Sequence, residues 1–357
     1  MPTKTIRKQS IPDIERIIEF DFIRATEAAA LNVFRWVGKG EKNSADDAAC
    51  DAMRGMFDLM DICGEVVIGE GLKDEAPGIF IGEHLGKWNI GTIKFDIAVD
   101  PIDGTTNVSK GLPNSISVLC AASPEEGVKQ ALTHVPSFYS SKLAYGPRVK
   151  NYMAKVGIEQ VRLDNPIEEN MAIVARALGK RPQDLTVILL DRPRHDAIVK
   201  GIRSTGASLR MISDGDITAA IAPSLPETGI DLYVGIGGSP EGVIAAAAIK
   251  CLGGDMQMKM WPRDDKERAE LVKVGYENEL KQVYYADDLA VGKNIIFCAT
   301  GVSDSTLLPG VRVFNHSAVT HSILMRAKHK TVRYIKAVHD LETKTIRLRS
   351  TKQEQAL

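Results

Sequence analysis

LTVILLDRPRH (Leu185–His195), SLRMISDGD (Ser208–Asp216) and DLYVGIGGSPEGVIAAAAIKCLG (Asp231–Gly253) repeat one rhythm: an apolar strand, a short polar turn, then a helix. Three such units in succession predict a parallel sheet covered by helices, an α/β fold. In such sheets ligands gather outside the carboxyl ends of the strands, where the turns RPRH, DGD and GGSPEG fall. Gly235, Gly237 and Gly238 invite a dinucleotide-binding reading, but the third glycine of GxGxxG would fall at Pro240. Ser239 as cap and Pro240 as first helical residue instead place Glu241 in the first turn of a helix.

Upstream, Ile14, Ile17, Ile18, Phe22, Ala25, Ala29 and Phe34 recur near helical spacing and predict a long amphipathic helix. It runs into the loop GKGEKN (Gly38 to Asn43), after which Ser44 is the expected N-cap of a second helix. The runs EVVIG, FDIAV and SISVLCAA read as strands. Pro101 cannot donate to a ladder, so the FDIAV strand is expected to end at Asp100. Downstream, RAELVKVGYENELKQ reads as a helix, NIIFCATG as a strand, and the tail beyond Val311 alternates like β-structure. A soft boundary near residues 165–185 divides the chain into halves 1–175 and 176–357. No low-complexity linker separates them, so tight packing is expected.

The composition is that of an ordinary globular protein: 357 residues, 44% hydrophobic and 25% charged. A net charge of -1 argues against nucleic acid as the main partner but leaves room for a local cationic cluster. The five cysteines lie far apart without a CxxC, the usage of a reduced, cytoplasmic protein. The opening MPTKTIRKQS lacks an apolar signal core, and no run approaches the roughly 18 apolar residues of a membrane span.

The acids Asp46, Glu70, Asp74, Asp100, Asp103 and Glu241 all stand at ends of predicted elements, where side chains can enter a cleft. Carboxylates without His or Cys suit hard divalent ions such as Mg²⁺ or Mn²⁺. Two such ions roughly 4 Å apart suit phosphoryl transfer to water. Thr105 or Thr106 in VDPIDGTTN could orient that water. Each acid has a plainer reading: Asp46 complements a helix dipole, Glu70 is a solvated loop residue, Asp214 and Asp216 cap a helix. Asp100 and Asp103 before Gly104-Thr105 fit a chance turn least. Arg192 and Arg194, flanking Pro193, can grip a phosphate bidentately or form a solvated turn. His316 and His321 are five apart, wrong for a helical metal pair.

Together GKGEKNSAD, VVIGEG, DEAP, VDPIDGT, DRPRHD, ISDGD and GIGGSPEGV, in this order, resemble the class II (bacterial) fructose-1,6-bisphosphatases. That group includes the cyanobacterial type that also hydrolyses sedoheptulose-1,7-bisphosphate, and the resemblance runs from about Ile18 to the tail. It implies a layered α-β-α-β-α sugar-phosphatase fold of the inositol-monophosphatase kind, with two or more Mn²⁺ or Mg²⁺ ions. It implies Asp46 and Glu70 as ligands of one ion, and Asp100, Asp103 and Glu241 as ligands of another. Asp74 would work with Thr105 on the attacking water. Asp103, Gly104, Thr105, Tyr139, Arg192, Pro193, Arg194, Asp214, Gly215, Asp216 and Gly238 match substrate contacts.

The implied activity is removal of the 1-phosphate of fructose-1,6-bisphosphate, in gluconeogenesis or a pentose-phosphate cycle, by a homo-oligomer (dimer or tetramer). Two positions depart from the family pattern. Asp103 stands where the class usually has Glu, and Leu72 where an acid is common. Asp103 keeps an inositol-phosphate or nucleotide 3′-phosphatase as an alternative. A catalytically silent sugar-phosphate sensor is a second alternative.

Overall fold

The computed structural model describes residues 15–69, 78–89, 92–350 and 354–356. The chain begins with α1 (Glu15–Phe34) and α2 (Lys42–Phe57). It then lays down β1 (Cys63–Ile68), β2 (His84–Leu85), β3 (Lys94–Asp103), α3 (Thr105–Lys110) and β4 (Ile116–Ala122). A second region follows with β5 (Tyr139–Tyr145), α4 (Pro147–Val156), α5 (Ile167–Leu178), β6 (Thr186–Leu190), α6 (Asp196–Ser204), β7 (Ser208–Ile212) and α7 (Asp216–Ile221). It continues through β8 (Leu232–Gly238), α8 (Ser239–Leu252), β9 (Asp255–Met260), α9 (Asp265–Lys273), β10 (Tyr284–Tyr285) and α10 (Ala286–Leu289). The tail carries β11 (Ile295–Gly301), β12 (Arg312–Phe314), β13 (Ser317–Arg326), β14 (Thr331–Asp340), β15 (Thr345–Arg347) and β16 (Glu354–Ala356).

Among the described residues two main sheets form. One runs β12-β13-β11-β4-β3-β1-β2, with β14 on the other edge of β13; the other runs β10-β9-β5-β8-β6-β7. The three strands of the 185–253 region are mutually parallel as expected, β6 lying between β7 and β8. The flanking β5 and β9 join antiparallel, so the second sheet is mixed. The 175/176 line passes through α5, while sheet membership changes before β5 and again before β11.

The layering follows from burial on both faces. In β4 the run ISVLCAA is buried throughout. Ile116, Val118 and Cys120 belong to the cluster between the sheets, and Leu119 and Ala121 to the cluster under α1 and α2. Alternate residues serve opposite faces, which an unbroken apolar strand permits. α8 contacts strands of both sheets, and its VIAAAAI is buried on every side, as a helix between two sheets requires. α4, α5 and α6 cover the far face of the second sheet. The result is α-β-α-β-α, the layered fold the sequence resemblance implies.

Several local expectations are corrected. α2 begins at Lys42 with Glu41 as N-cap, so Ser44 is already helical and Asp46 lies in the second turn. Gly238, not Ser239, caps α8. The segment 268–282 is broken: α9 stops at Lys273, and a short 3-10 turn, Glu279–Lys281, follows. Gly275 in the left-handed region separates them.

The strand containing Pro101 does not end at Asp100 but continues to Asp103 through a register shift. Asp100 pairs with Val118 and Asp103 with Ile116, so three steps on β3 face two on β4. Pro101 is tolerated because it sits at this bulge. Directly paired residues point to the same face, so the extra residue turns Asp100 and Asp103 both toward the layer between the sheets. A regular strand would have put them on opposite faces.

Candidate active site

The bulge feeds a sharp turn. Gly104 caps α3 in the left-handed conformation (φ 95), where a Cβ would stand 2.7 Å from Asn114 O. After β7 of the second sheet, left-handed Gly215 (φ 92) also closes on Asn114, where a Cβ would stand 2.5 Å from the same Asn114 O. Asn114 Nδ2 donates to Asp214 O (2.6 Å) and Thr218 Oγ1 donates to Asn114 Oδ1 (2.9 Å). Asn107 Nδ2 donates to Asn114 O, and Ser213 Oγ donates to Asn107 Oδ1 (2.7 Å). These polar groups lock the turn after β3 to the turn after β7, and glycine is what allows both backbones to approach.

Across this junction the acids converge. Asp103 Oδ2 accepts from Ile217 N–H (3.0 Å) at the start of α7. Burial raises the Asp103 carboxyl well above its usual range, and the nearby Asp214, Asp216 and Glu241 raise it further. Glu241, half-buried, is raised chiefly by desolvation of its carboxyl, which the Lys142 ammonium partly offsets. Asp216 does not cap α7; Gly215 does. Its carboxylate instead accepts from Lys142 Nζ (2.6 Å) and from the Tyr233 hydroxyl. Asp214 Oδ2 accepts from Thr106 N–H (3.3 Å).

Lys142 is 1% exposed, so this is a buried ion pair whose disruption strands a charge. Lys142→Met is expected to lower unfolding stability by about 3 kcal/mol, measured by urea titration in EDTA. A change within experimental scatter would show that Tyr233 alone holds Asp216.

Asp46, on α2, accepts from Thr105 Oγ1 (3.3 Å), which also reaches Ile102 O (3.1 Å). Desolvation raises the Asp46 carboxyl to about 6, against the opposing hydrogen bond from Thr105. Lys42 Nζ donates to Thr106 Oγ1 (2.7 Å), a second tie between α2 and this turn. Asp100 Oδ1 accepts from Ile102 N–H (3.0 Å) inside the bulge.

A cleft of about 850 Å³ is lined by Asp103, Asp214, Asp216, Gly238 and Glu241 together with Tyr139, Arg192 and Arg194; Asp46, Asp100 and Thr105 are not among its lining residues. Arg194 donates through Nε (3.2 Å) and Nη2 (2.8 Å) to Ile236 O, and its guanidinium lies 4.7 Å from the Tyr139 ring centroid. That placement joins Arg194 and Tyr139, residues 55 positions apart in the chain. Arg192 bends back to Asp191 O (2.9 Å), and Pro193 is exposed. Gly238 leaves room that a Cβ would take from the Glu241 carboxylate. Gly69, the residue before Glu70, also lines the cleft. Glu70, Leu72 and Asp74 lie outside the described residues.

The donor set is suited to a hard cation: every candidate ligand is a carboxylate, and buried Glu241 Oε2 has no hydrogen-bond partner. Among the described residues, no group of three or more His, Cys, Asp or Glu side chains is arranged to hold a metal ion. His316 instead sits on the surface beside Glu342 (3.2 Å).

Sequence reasoning missed Lys142, Tyr233, Asn107, Asn114 and His195. The available signals were a lone Lys inside the strand-like SSKLAY and a His following Arg-Pro-Arg. Among the described residues no helix is long and apolar enough to cross a membrane.

A family model described as bacterial fructose-1,6-bisphosphatase, glpX-encoded, matches residues 16–339. A Haemophilus influenzae protein named fructose-1,6-bisphosphatase class 2 is 42% identical over 340 residues, covering 92% of this chain and 98% of that protein. Proteins from two strains of Synechococcus sp. are 37% identical over 341 residues, covering 89% of this chain and 94% of each relative. Both are named D-fructose 1,6-bisphosphatase class 2/sedoheptulose 1,7-bisphosphatase. These relatives belong to a group of metal-dependent phosphatases. With the family match spanning nearly all of the layered fold and every described motif of the cleft, the chain belongs to the bacterial class 2 fructose-1,6-bisphosphatases.

Proposed function

We propose that this phosphoric monoester hydrolase removes the 1-phosphate of fructose-1,6-bisphosphate, yielding fructose-6-phosphate and phosphate, with sedoheptulose-1,7-bisphosphate as a second substrate. The observation that carries this reading is one cleft lined both by the carboxylates Asp103, Asp214, Asp216 and Glu241 and by the guanidinium groups of Arg192 and Arg194. A molecule with two phosphates can meet both, one through cations held by the acids and one through guanidinium groups.

Asp46 and Glu70 would hold one divalent ion, Mn²⁺ or Mg²⁺, and Asp100, Asp103 and Glu241 another. Bound there, such ions supply charge neutralisation at the phosphoryl oxygens and a water of lowered pKa. The residues of the chain do the positioning. The Thr105 hydroxyl proton is directed to Ile102 O or Asp46, leaving its oxygen lone pairs free to accept from the attacking water. Asp74 is assigned to take that water's proton. Arg192, Pro193, Arg194 and Tyr139 receive the remote phosphate. Asp214, Gly215, Asp216 and Gly238 receive the sugar, with Asp216 held rigid by Lys142 and Tyr233. Transfer goes directly to water, since no side chain in the described cleft is presented as an activated nucleophile.

Two features favour this reading over an inositol-phosphate or nucleotide phosphatase despite Asp103: the Arg194–Tyr139 pair and the RPRH turn that carries it. The wild type is expected to hydrolyse fructose-1,6-bisphosphate in preference to inositol-1-phosphate in side-by-side phosphate-release assays. Better turnover of inositol-1-phosphate would favour the inositol-phosphatase alternative, and turnover of neither would favour the silent sensor. Arg194→Ala is expected to raise KM for the bisphosphate about tenfold or more with kcat changed less. A cytoplasmic setting agrees with the five buried cysteines, none of which forms a disulfide. A homo-oligomeric state is proposed from the resemblance and is checked by sedimentation.

A further inference from the structure

His195 is 0% exposed and belongs to no group yet given a role. It sits where β6 and β8 part. Their parallel ladder pairs Val187 with Leu232 and Ile188 with Tyr233, and no later pair is registered among the described residues. Both strands nevertheless continue, β6 to Leu190 and β8 to Gly238. Beyond the ladder, Ile236 turns its N–H and C=O toward the gap with no strand residue to receive them.

Two consecutive side chains take that role. His195 Nε2 accepts the Ile236 N–H (2.8 Å), and Arg194 donates twice to Ile236 O (3.2 and 2.8 Å). The other ring nitrogen, Nδ1, lies 2.7 Å from Leu190 O, at the end of β6. Because Nε2 accepts, the proton resides on Nδ1 and is donated to Leu190 O; the ring is the neutral tautomer, with both nitrogens used. Burial also holds the imidazole below its usual pKa. The fit is tight: a Cβ on Gly235 would stand 3.2 Å from His195 Cε1. On its other side, β8 is registered to β5, Ile236 opposite Ser141 and Gly238 opposite Tyr139. The imidazole thus sets the separation between the turn that carries Arg194 and the strand pair that carries Tyr139.

We propose that His195 is a positioning residue for the remote-phosphate grip: its bridge from Leu190 to Ile236 holds Arg194 over Tyr139 at the spacing that binding requires. This rests on the reading of Arg194 as a phosphate contact. His195 does not touch substrate; it acts through Ile236.

The test separates the two ring nitrogens. Asn reaches the position of Nδ1 and can donate to Leu190 O, whereas Gln reaches the position of Nε2 and can accept from Ile236 N–H. If the bond to Ile236 sets the grip, His195→Gln keeps KM for fructose-1,6-bisphosphate within about threefold of wild type. His195→Asn and His195→Leu raise it about tenfold, with smaller changes in kcat. A monophosphate ester, phenyl phosphate, serves as the second substrate; it lacks the remote phosphate, so its kcat/KM falls several-fold less in the Asn variant. Equal losses on both substrates, or identical KM values for the Gln and Asn variants, would reduce His195 to a packing residue and overturn the inference. Arg194→Ala is run beside them. An unchanged KM there overturns the assignment of Arg194 and the inference with it. A raised KM there, beside an unchanged one in His195→Asn, overturns the role of His195 alone. Thermal unfolding of each variant identifies loss of folded protein, and the Gln–Asn comparison stands even if the Leu variant does not fold.

Discussion

Glu241→Gln is expected to lower kcat/KM for fructose-1,6-bisphosphate by at least about a hundredfold, because even outer contacts of metal ligands are worth ten- to a hundredfold. The same change is expected to raise the unfolding temperature of the metal-free protein by about 2 °C. The two effects have one cause. Glu241 is half-buried at the start of α8, but its Oε2 is cut off from solvent with no hydrogen-bond partner, and Asp214 and Asp216 add repulsion. Without a cation this carboxylate is a liability that burial makes worse. Gln keeps the shape and removes the charge, so the fold gains while the proposed ion loses a ligand. Lys142 does not reverse this sign, since its Nζ is already 2.6 Å from Asp216 Oδ2. Phosphate release and calorimetry on metal-free and reloaded protein give both readouts. An active Glu241→Gln variant would remove this residue from the ligand set.

Exhaustive chelation is expected to abolish turnover, and Mg²⁺ or Mn²⁺ to restore it, the donors being carboxylate oxygens. Chelation also changes how stability depends on pH. Asp46 in the folded chain titrates at about 6 rather than its usual 3.8, through desolvation, and Asp103 and Glu241 are raised as well. Between the usual and the raised values the folded, metal-free protein binds more protons than the unfolded chain. The stability contributed by these groups is therefore full below about pH 4 and is lost as pH rises through 6 and beyond. A bound cation favours the ionised carboxylates and removes that loss.

Buried His195 and His339, both held below their usual pKa, slope the other way, but they cancel between loaded and metal-free protein. The gap in unfolding temperature between the two forms is thus expected to widen from pH 5 to pH 8. A constant gap, or full activity in protein shown by metal analysis to be free of ions, would remove the carboxylate–cation site from this cleft.

The sequence by itself determined the helix-covered parallel sheet and the chemistry on offer, while the order of layers came from the family resemblance. Unbroken apolar strands such as ISVLCAA suit burial on both faces, and the all-round apolar α8 suits a fully buried place. The three strand–turn–helix units likewise set the parallel core of the second sheet and placed RPRH, DGD and GGSPEG at one end of it. What a local reading lacked was anything that depends on a partner. The proline rule ended β3 too early because a bulge is a property of two strands, not one, and that bulge is what turns Asp100 and Asp103 to the same face. Asp216 looked like a helix cap until the tertiary structure brought Lys142 and Tyr233 to it across the sheet. His195 followed Arg-Pro-Arg in plain view, but its role was not legible, since its two partners are main-chain atoms on different strands, and backbone groups leave no mark in a sequence. Side-chain chemistry is written residue by residue, whereas the spacing between an arginine and a tyrosine 55 positions apart exists only once the strands that carry them have paired.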